Sequence, residues 1–180
     1  LLIRGLVSLR RTGKDDGGID EAWLLACRFG EMVRMLPVAA AIVERIWLTG
    51  VVDDRLAEFR SLLDSAPVTG LEWARGELAM WLRRIGATVQ PAGHHYDTVA
   101  EPYRLVLDGK HAAAADTFHA LSSPYDAALA LIDSGDPKLA RRALDVLDRL
   151  GADAVAAKVR SDLRAQGAKV VPAPRRATTL

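Results

Sequence analysis

Apolar residues recur three or four positions apart along almost the whole chain, and glycine interrupts them at short intervals. The clearest run is Leu71, Ala74, Leu78, Leu82 and Ile85, with Trp81 beside it and Glu72, Arg75, Glu77, Arg83 and Arg84 on the other faces. That spacing is the period of an amphipathic helix. It returns at Val38, Ile42 and Ile46, at Leu56, Phe59, Leu62 and Leu63, at Leu139, Ala140, Ala143, Leu144 and Leu147, and at Val155, Val159 and Leu163. Alternation of period two is missing, and the Val170–Val171 doublet is too short for a strand. The pattern predicts an all-α fold.

Each stripe has a stop. Gly13, Gly50, Gly86, Gly109, Gly135, Gly151 and Gly167 follow apolar runs where a left-handed C-terminal cap would sit. Starts are marked at Ser123–Pro124 and Asp136–Pro137, an N-cap oxygen before a proline whose missing N–H costs nothing in the first turn. Asp20 and Asp53 or Asp54 are further cap candidates. The intervals allow about nine or ten helices of about 10 to 16 residues joined by short turns, which favours antiparallel hairpins. The stretch from Ala87 to Thr98 is the one long connection. Ala40 to Ser65 can be laid over Ala127 to Arg149 with Gly50 on Gly135, and Tyr103 to Leu121 gives a third copy centred on Gly109. Small residues before a glycine turn, then alanine and a large apolar residue, suit the two packed helices of a tetratricopeptide-like hairpin. The expectation is a degenerate repeat: antiparallel hairpins stacked as a tetratricopeptide-like right-handed superhelix over 1–168, followed by a basic, proline-containing linker over 169–180.

With 180 residues, half of them hydrophobic and 26% charged, the composition is that of a globular domain, and it excludes collagen-like and disordered classes. The 24 basic and 23 acidic side chains leave a net charge of +1, so no overall field draws the chain to nucleic acid or an acidic membrane. No run approaches the ~18 apolar residues of a membrane span. Cys27 has no second thiol for a disulfide or a CxxC site, which suits a reducing cytoplasm. Leu1 opens directly into helix-like sequence without an initiator Met, so the chain reads as a segment of a longer protein.

Several segments carry a family resemblance: LPVAAAIVERIWLTG from Leu36, WARGELAMWLRRIGA from Trp73, AEPYRLVLDGKHAAAADTFHALSSPYDAALALIDSGD from Ala100, and the stretch from Arg141 to the end. Together they resemble the tetratricopeptide-like helical region of bacterial LuxR-type signalling ATPases, a class that includes relatives of the maltose regulator. In such proteins a helix ending in LRxxG leads through a short basic proline linker, here Pro172, Pro174, Arg175 and Arg176, into a helix-turn-helix. The resemblance implies a parent with a nucleotide-binding module upstream and a DNA-binding module downstream. Some related parents carry a nucleotide cyclase instead. This segment would then be a non-catalytic interaction and sensing domain, taking a protein, peptide or small effector in its groove and contacting other modules of the same chain. It would bind no nucleic acid directly, need no cofactor, and leave oligomerisation open. A free-standing or cyclase-linked helical adaptor mediating protein–protein interaction is the alternative.

Motifs for chemistry are sparse. No GxxxxGK[ST] loop is present, and Gly17–Gly18 before Ile19 and Asp20 reads as a helix entrance. His94, His95 and Asp97 stand together in the long connection and could serve a metal-dependent enzyme, but no second element supplies further ligands at a fixed spacing, and a solvated loop is expected. Asp116 and His119 echo half of a di-iron motif without its other half, and read as a surface pair. Cys27, on a helix with Ala22, Leu25, Ala26 and Phe29, reads as a small packing residue. Trp23, Trp47 and Trp81 fall near apolar stripes and are expected in the core, whereas Trp73 is the groove-facing candidate. The arginine pairs Arg10–Arg11, Arg83–Arg84 and Arg141–Arg142 have acids nearby and read as solvated faces. No catalytic, cofactor-binding or metal-ligating residue is therefore assigned.

Overall fold

The computed structural model describes residues 1–87, 98–167 and 171–173. Its helices are α1 (Leu2–Thr12), α2 (Gly18–Phe29), α3 (Met32–Thr49), α4 (Leu56–Ser65), α5 (Glu72–Arg84), α6 (Glu101–Leu107), α7 (His111–Ala120), α8 (Pro124–Asp133), α9 (Pro137–Leu150) and α10 (Asp153–Ala165). Among the described residues there is no strand, and the chain is all-α. The seven expected glycine stops all have left-handed backbone, with φ from 68° at Gly151 to 81° at Gly167. Asp136 caps α9 as its sequence predicts, accepting from the Lys138 N–H at 2.7 Å. Ser123 precedes α8 without a side-chain cap, and Asp20 lies inside the first turn of α2, where it binds arginines instead.

Helix α3 is the hub. Residues Val38 to Glu44 are buried without a break, because α2, α4, α5, α1 and α10 surround the helix on several sides. Three of the central residues are Ala39, Ala40 and Ala41, and their small side chains let these neighbours come close. Close approach recurs at two helical glycines. A Cβ on Gly76 of α5 would lie 2.6–2.8 Å from the Tyr103 ring of α6, and one on Gly5 of α1 would lie 2.8 Å from Ile19 Cγ1 of α2. Tyr103 is itself held edge-on between Trp73 and Phe118, with centroids 5.8 and 5.3 Å away.

Two features of the path go beyond stacked neighbours. Helix α1 packs on α10, so the first and last helices meet. Helices α5 and α6 run in the same direction: the Ala100 N–H donates to the Glu72 carbonyl at the start of α5 (3.0 Å), and Arg83 near its end donates to the Leu107 carbonyl at the end of α6. The long connection between them therefore joins the end of one helix to the beginning of its parallel neighbour, which a two-residue turn cannot do. The other connections are short, and the three predicted helix–glycine–helix copies fall on α3–α4, α6–α7 and α8–α9.

Charged groups lock the ends. Arg45 and Arg55 share Asp20 and Asp53, with Asp15 also on Arg45 at 3.1 Å, tying the α1–α2 and α3–α4 connections to α2 and α3. Arg75, 2% exposed, donates to the Leu63 and Ala66 carbonyls and so caps the C-terminus of α4. The sequence placed it only off the apolar stripe. Of the predicted linker, only 171–173 is described: Val171 packs on the core and the Pro172 carbonyl accepts from Arg160 Nε at 2.8 Å, while Arg160 also holds Asp148. Arg160 of α10 thus ties this stretch to the helical body.

Candidate functional site

A cluster of inward-facing charge gathers where α1, α3, α5, α6 and α8 converge. Glu44, in the buried run of α3, is 1% exposed. A carboxylate there needs partners of its own, and they come from far along the chain. Arg10 of α1 closes on it as a fork, Nε to Oε1 and Nη2 to Oε2, both 2.7 Å. The Tyr125 hydroxyl of α8 donates to Oε1 at 2.6 Å, and the Arg10 guanidinium lies 3.9 Å from the centroid of the Tyr125 ring. One carboxylate thus joins three helices.

Two further carboxyls border this clamp. Burial pushes Glu77 of α5 up to about 7, helped by the charges of Asp126 and Glu44 and opposed by Arg10. Burial likewise raises Asp126 in the first turn of α8, against the pull of Arg10 and with a further push from Glu44. The cause is stoichiometric as well as dielectric. Arg10 has its fork committed to Glu44, and its pull on the other two, with that of Arg84 on Asp126, does not outweigh burial. Tyr103 also carries its hydroxyl toward these charges, and burial first, then Glu77 and Asp126, raise it further above its ordinary value. Neither Glu77 nor Asp126 has an ion-pair partner among the described residues. The cluster can hold and release a proton near neutral pH, or accept a cationic or hydrogen-bond-donating group. Perturbed carboxyls collected in a scaffold are a recurrent mark of functional sites.

A second surface is apolar. Leu1, Leu25, Phe29, Val33 and Pro37 line a cleft of about 350 Å³ where α1, α2 and α3 meet, with Arg34 at its edge. Phe29 is 65% and Val33 58% exposed. The α2 reading is corrected here: Ile19, Ala22, Trp23 and Ala26 form its core face, and Leu25 and Phe29 face outward. Cys27 is exposed too, not a packing residue. Partial burial and the Glu58 charge push its thiol up, against reactivity.

Other sequence candidates separate cleanly. Trp23 and Trp81 are buried and Trp47 half-buried, whereas Trp73 is 53% exposed and rests edge-on against Tyr103. Asp116 and His119 are exposed on α7. His94, His95, Asp97 and Arg175–Arg176 lie outside the described residues, and among those described no cluster of His, Cys, Asp or Glu has metal-binding geometry. The arginine pairs hide the largest miss. Arg10 and Arg84 point inward, Arg84 onto Asp133 of α8. A glutamate inside the apolar run from Val38 to Ile46 was the available signal, and its neighbour Arg45 pairs instead with Asp15, Asp20 and Asp53.

No protein-family profile, curated protein or solved structure matches this chain. No helix among the described residues is long and apolar enough to cross a membrane.

Proposed function

We propose that this chain is the non-catalytic interaction and signal-sensing segment of a bacterial ATP-dependent transcriptional regulator of the LuxR-type class, with a tetratricopeptide-like arrangement of its hairpins. The observation that carries the reading is the carboxyl cluster. Its members come from positions 10, 44, 77, 103, 125 and 126, on five helices, so a proton, effector or partner group arriving there acts at once on elements far apart in the chain. Such a junction can bias a helical scaffold between two arrangements through differential binding. The glycine-centred hairpins α3–α4, α6–α7 and α8–α9 support the repeat.

The test is to read the coding sequence outward on both sides. A glycine-rich phosphate loop upstream and a helix-turn-helix downstream are the expected neighbours. Stop signals close on both sides would overturn the regulator reading. They would favour an independent adaptor, the reading to which the exposed apolar cleft at Leu25, Phe29 and Val33 lends weight. In the full regulator, replacing Glu77 or Asp126 by the amide should shift the effector or pH response of transcription. An unchanged response would remove the cluster from signalling.

A further inference from the structure

The outward face of α2 carries a pattern with its own two-fold symmetry. Ile19, Ala22, Trp23 and Ala26 turn into the core. That leaves Glu21, Leu24, Leu25 and Arg28 on the opposite side, spaced i, i+3, i+4 and i+7 as one stripe of an α-helix requires. All four are exposed. Beside Leu25, the exposed Phe29 and Val33 carry the apolar surface past the end of α2 to the start of α3. Contiguous apolar surface of this kind on a folded domain marks a docking face. The two charges at its ends are unengaged: among the described residues neither Glu21 nor Arg28 makes an ion pair, whereas Arg34 at the edge of the cleft is tied to Glu31. Glu21 and Arg28 stand seven positions apart, beyond the i+3 and i+4 neighbours that pair along one helix.

We propose that this face pairs with a second copy of the chain, α2 against α2, antiparallel about a two-fold axis. The midpoint of the stripe falls between Leu24 and Leu25. Rotation by half a turn there lays Glu21 of each copy opposite the partner's Arg28 and brings the leucines of both copies together between the two ion pairs. The order of acid and base selects this direction, because a parallel pair would set Glu21 on Glu21 and Arg28 on Arg28. Antiparallel packing also places the positive end of each helix, with Glu21 in its first turn, beside the partner's negative end, with Arg28 in its last. Such a contact buries the same residues in both copies and closes at two. Stable interfaces bury ~1,200 Å² or more in total. Helix α2 has 12 residues and is about 18 Å long, so a contact of that size draws in Phe29 and Val33 as well. For a modest interface of this kind the expected dissociation constant is about 1–100 μM.

The test is analytical sedimentation of the full chain over about 1–500 μM, a range that brackets that constant. A reversible monomer–dimer equilibrium is expected. Leu24→Lys sets like charges beside the axis, at a side chain the fold itself leaves 66% exposed, and should give a monomer whose helicity by circular dichroism matches wild type. Glu21→Arg and Arg28→Glu, each alone, turn both attractions into repulsions and should weaken association about tenfold or more. Mixing these two variants one to one puts opposite charges back across both ends of the pair, so the mixture should associate about as tightly as wild type. That rescue separates a designed charge pairing from a variant that merely folds poorly. A chain monomeric at every concentration would overturn the proposal and leave the face to a different protein. A dimer indifferent to Leu24→Lys, charge variants as tight as wild type, a mixture no tighter than its components, or growth beyond two copies would each overturn it as well. The readout is self-association of this chain, so its failure leaves the regulator reading standing.

Discussion

Replacing Glu77 by glutamine isolates the energetic consequence of crowding carboxyls around one arginine. Glu77 rises from its ordinary 4.5 to about 7 on folding, chiefly through burial. The folded state therefore holds this proton more tightly than the unfolded chain, and the associated stability is complete below about pH 4.5 and lost as pH climbs through 7. At about 1.4 kcal/mol per pH unit, the whole effect amounts to about 3 kcal/mol, an upper figure for a half-buried side chain. Glutamine imitates the protonated acid in size and polarity and does not ionise. Urea unfolding of both proteins from pH 4 to pH 8.5 would expose the difference. Wild type should lose more stability between pH 5 and 8 than Glu77→Gln, which keeps only the loss from Asp126, so that the variant is the more stable by about 2–3 kcal/mol at pH 8.5 and matches wild type near pH 4. Parallel pH profiles, or a variant less stable at pH 8.5, would refute burial and like charge as the cause.

Glu44→Ala strips the fork from Arg10 and the acceptor from Tyr125 and opens a cavity beside them; a loss of about 3–5 kcal/mol is expected by chemical denaturation. Gly76→Ala drives a methyl into the Tyr103 ring, which Trp73 and Phe118 hold in place, and should lower stability by about 1–3 kcal/mol despite the better helix propensity of alanine; a thermal melt checks it. Asp53, held down to about 2 by Arg55 first and foremost, contributes stability that is present above its ordinary 3.8 and lost as pH falls through about 2. Asp53→Asn should therefore cost about 2 kcal/mol at neutral pH and flatten the acid limb of a stability–pH curve. Ser122 sits at φ 59°, a left-handed backbone that costs a non-glycine residue; Ser122→Gly should raise the melting midpoint by an amount equivalent to up to about 1 kcal/mol.

Helix class and helix ends were legible because both are written over a few neighbouring residues. The stripe around Leu78 and Leu82, the glycine stops from Gly13 to Gly167 and the Asp136–Pro137 start each express a local rule of backbone geometry, and the structure keeps them. The three glycine-centred copies coincide with helix pairs for the same reason. Local rules are silent about the direction in which a helix lies against one it does not adjoin through a tight turn. The parallel course of α5 and α6 and the contact of α1 with α10 are therefore properties of the assembled chain.

The same division governs charge. By residue type, Arg10, Arg75, Glu77 and Arg84 belong in water, since an isolated buried charge costs more than one domain can spare. Only the tertiary structure supplies what changes that balance: Glu44 from 34 positions away for Arg10, the end of α4 for Arg75, Asp133 from 49 positions away for Arg84. For Glu77 it supplies no ion-pair partner, only the weaker pull of Arg10, and burial raises its hold on the proton instead. The amino-acid order by itself determined that this chain would be helices broken at glycines, because periodicity and turn preference act between near neighbours. Which charges face inward, and so where a site can form, was decided by packing, because a buried charge takes its energy from partners that sequence distance hides.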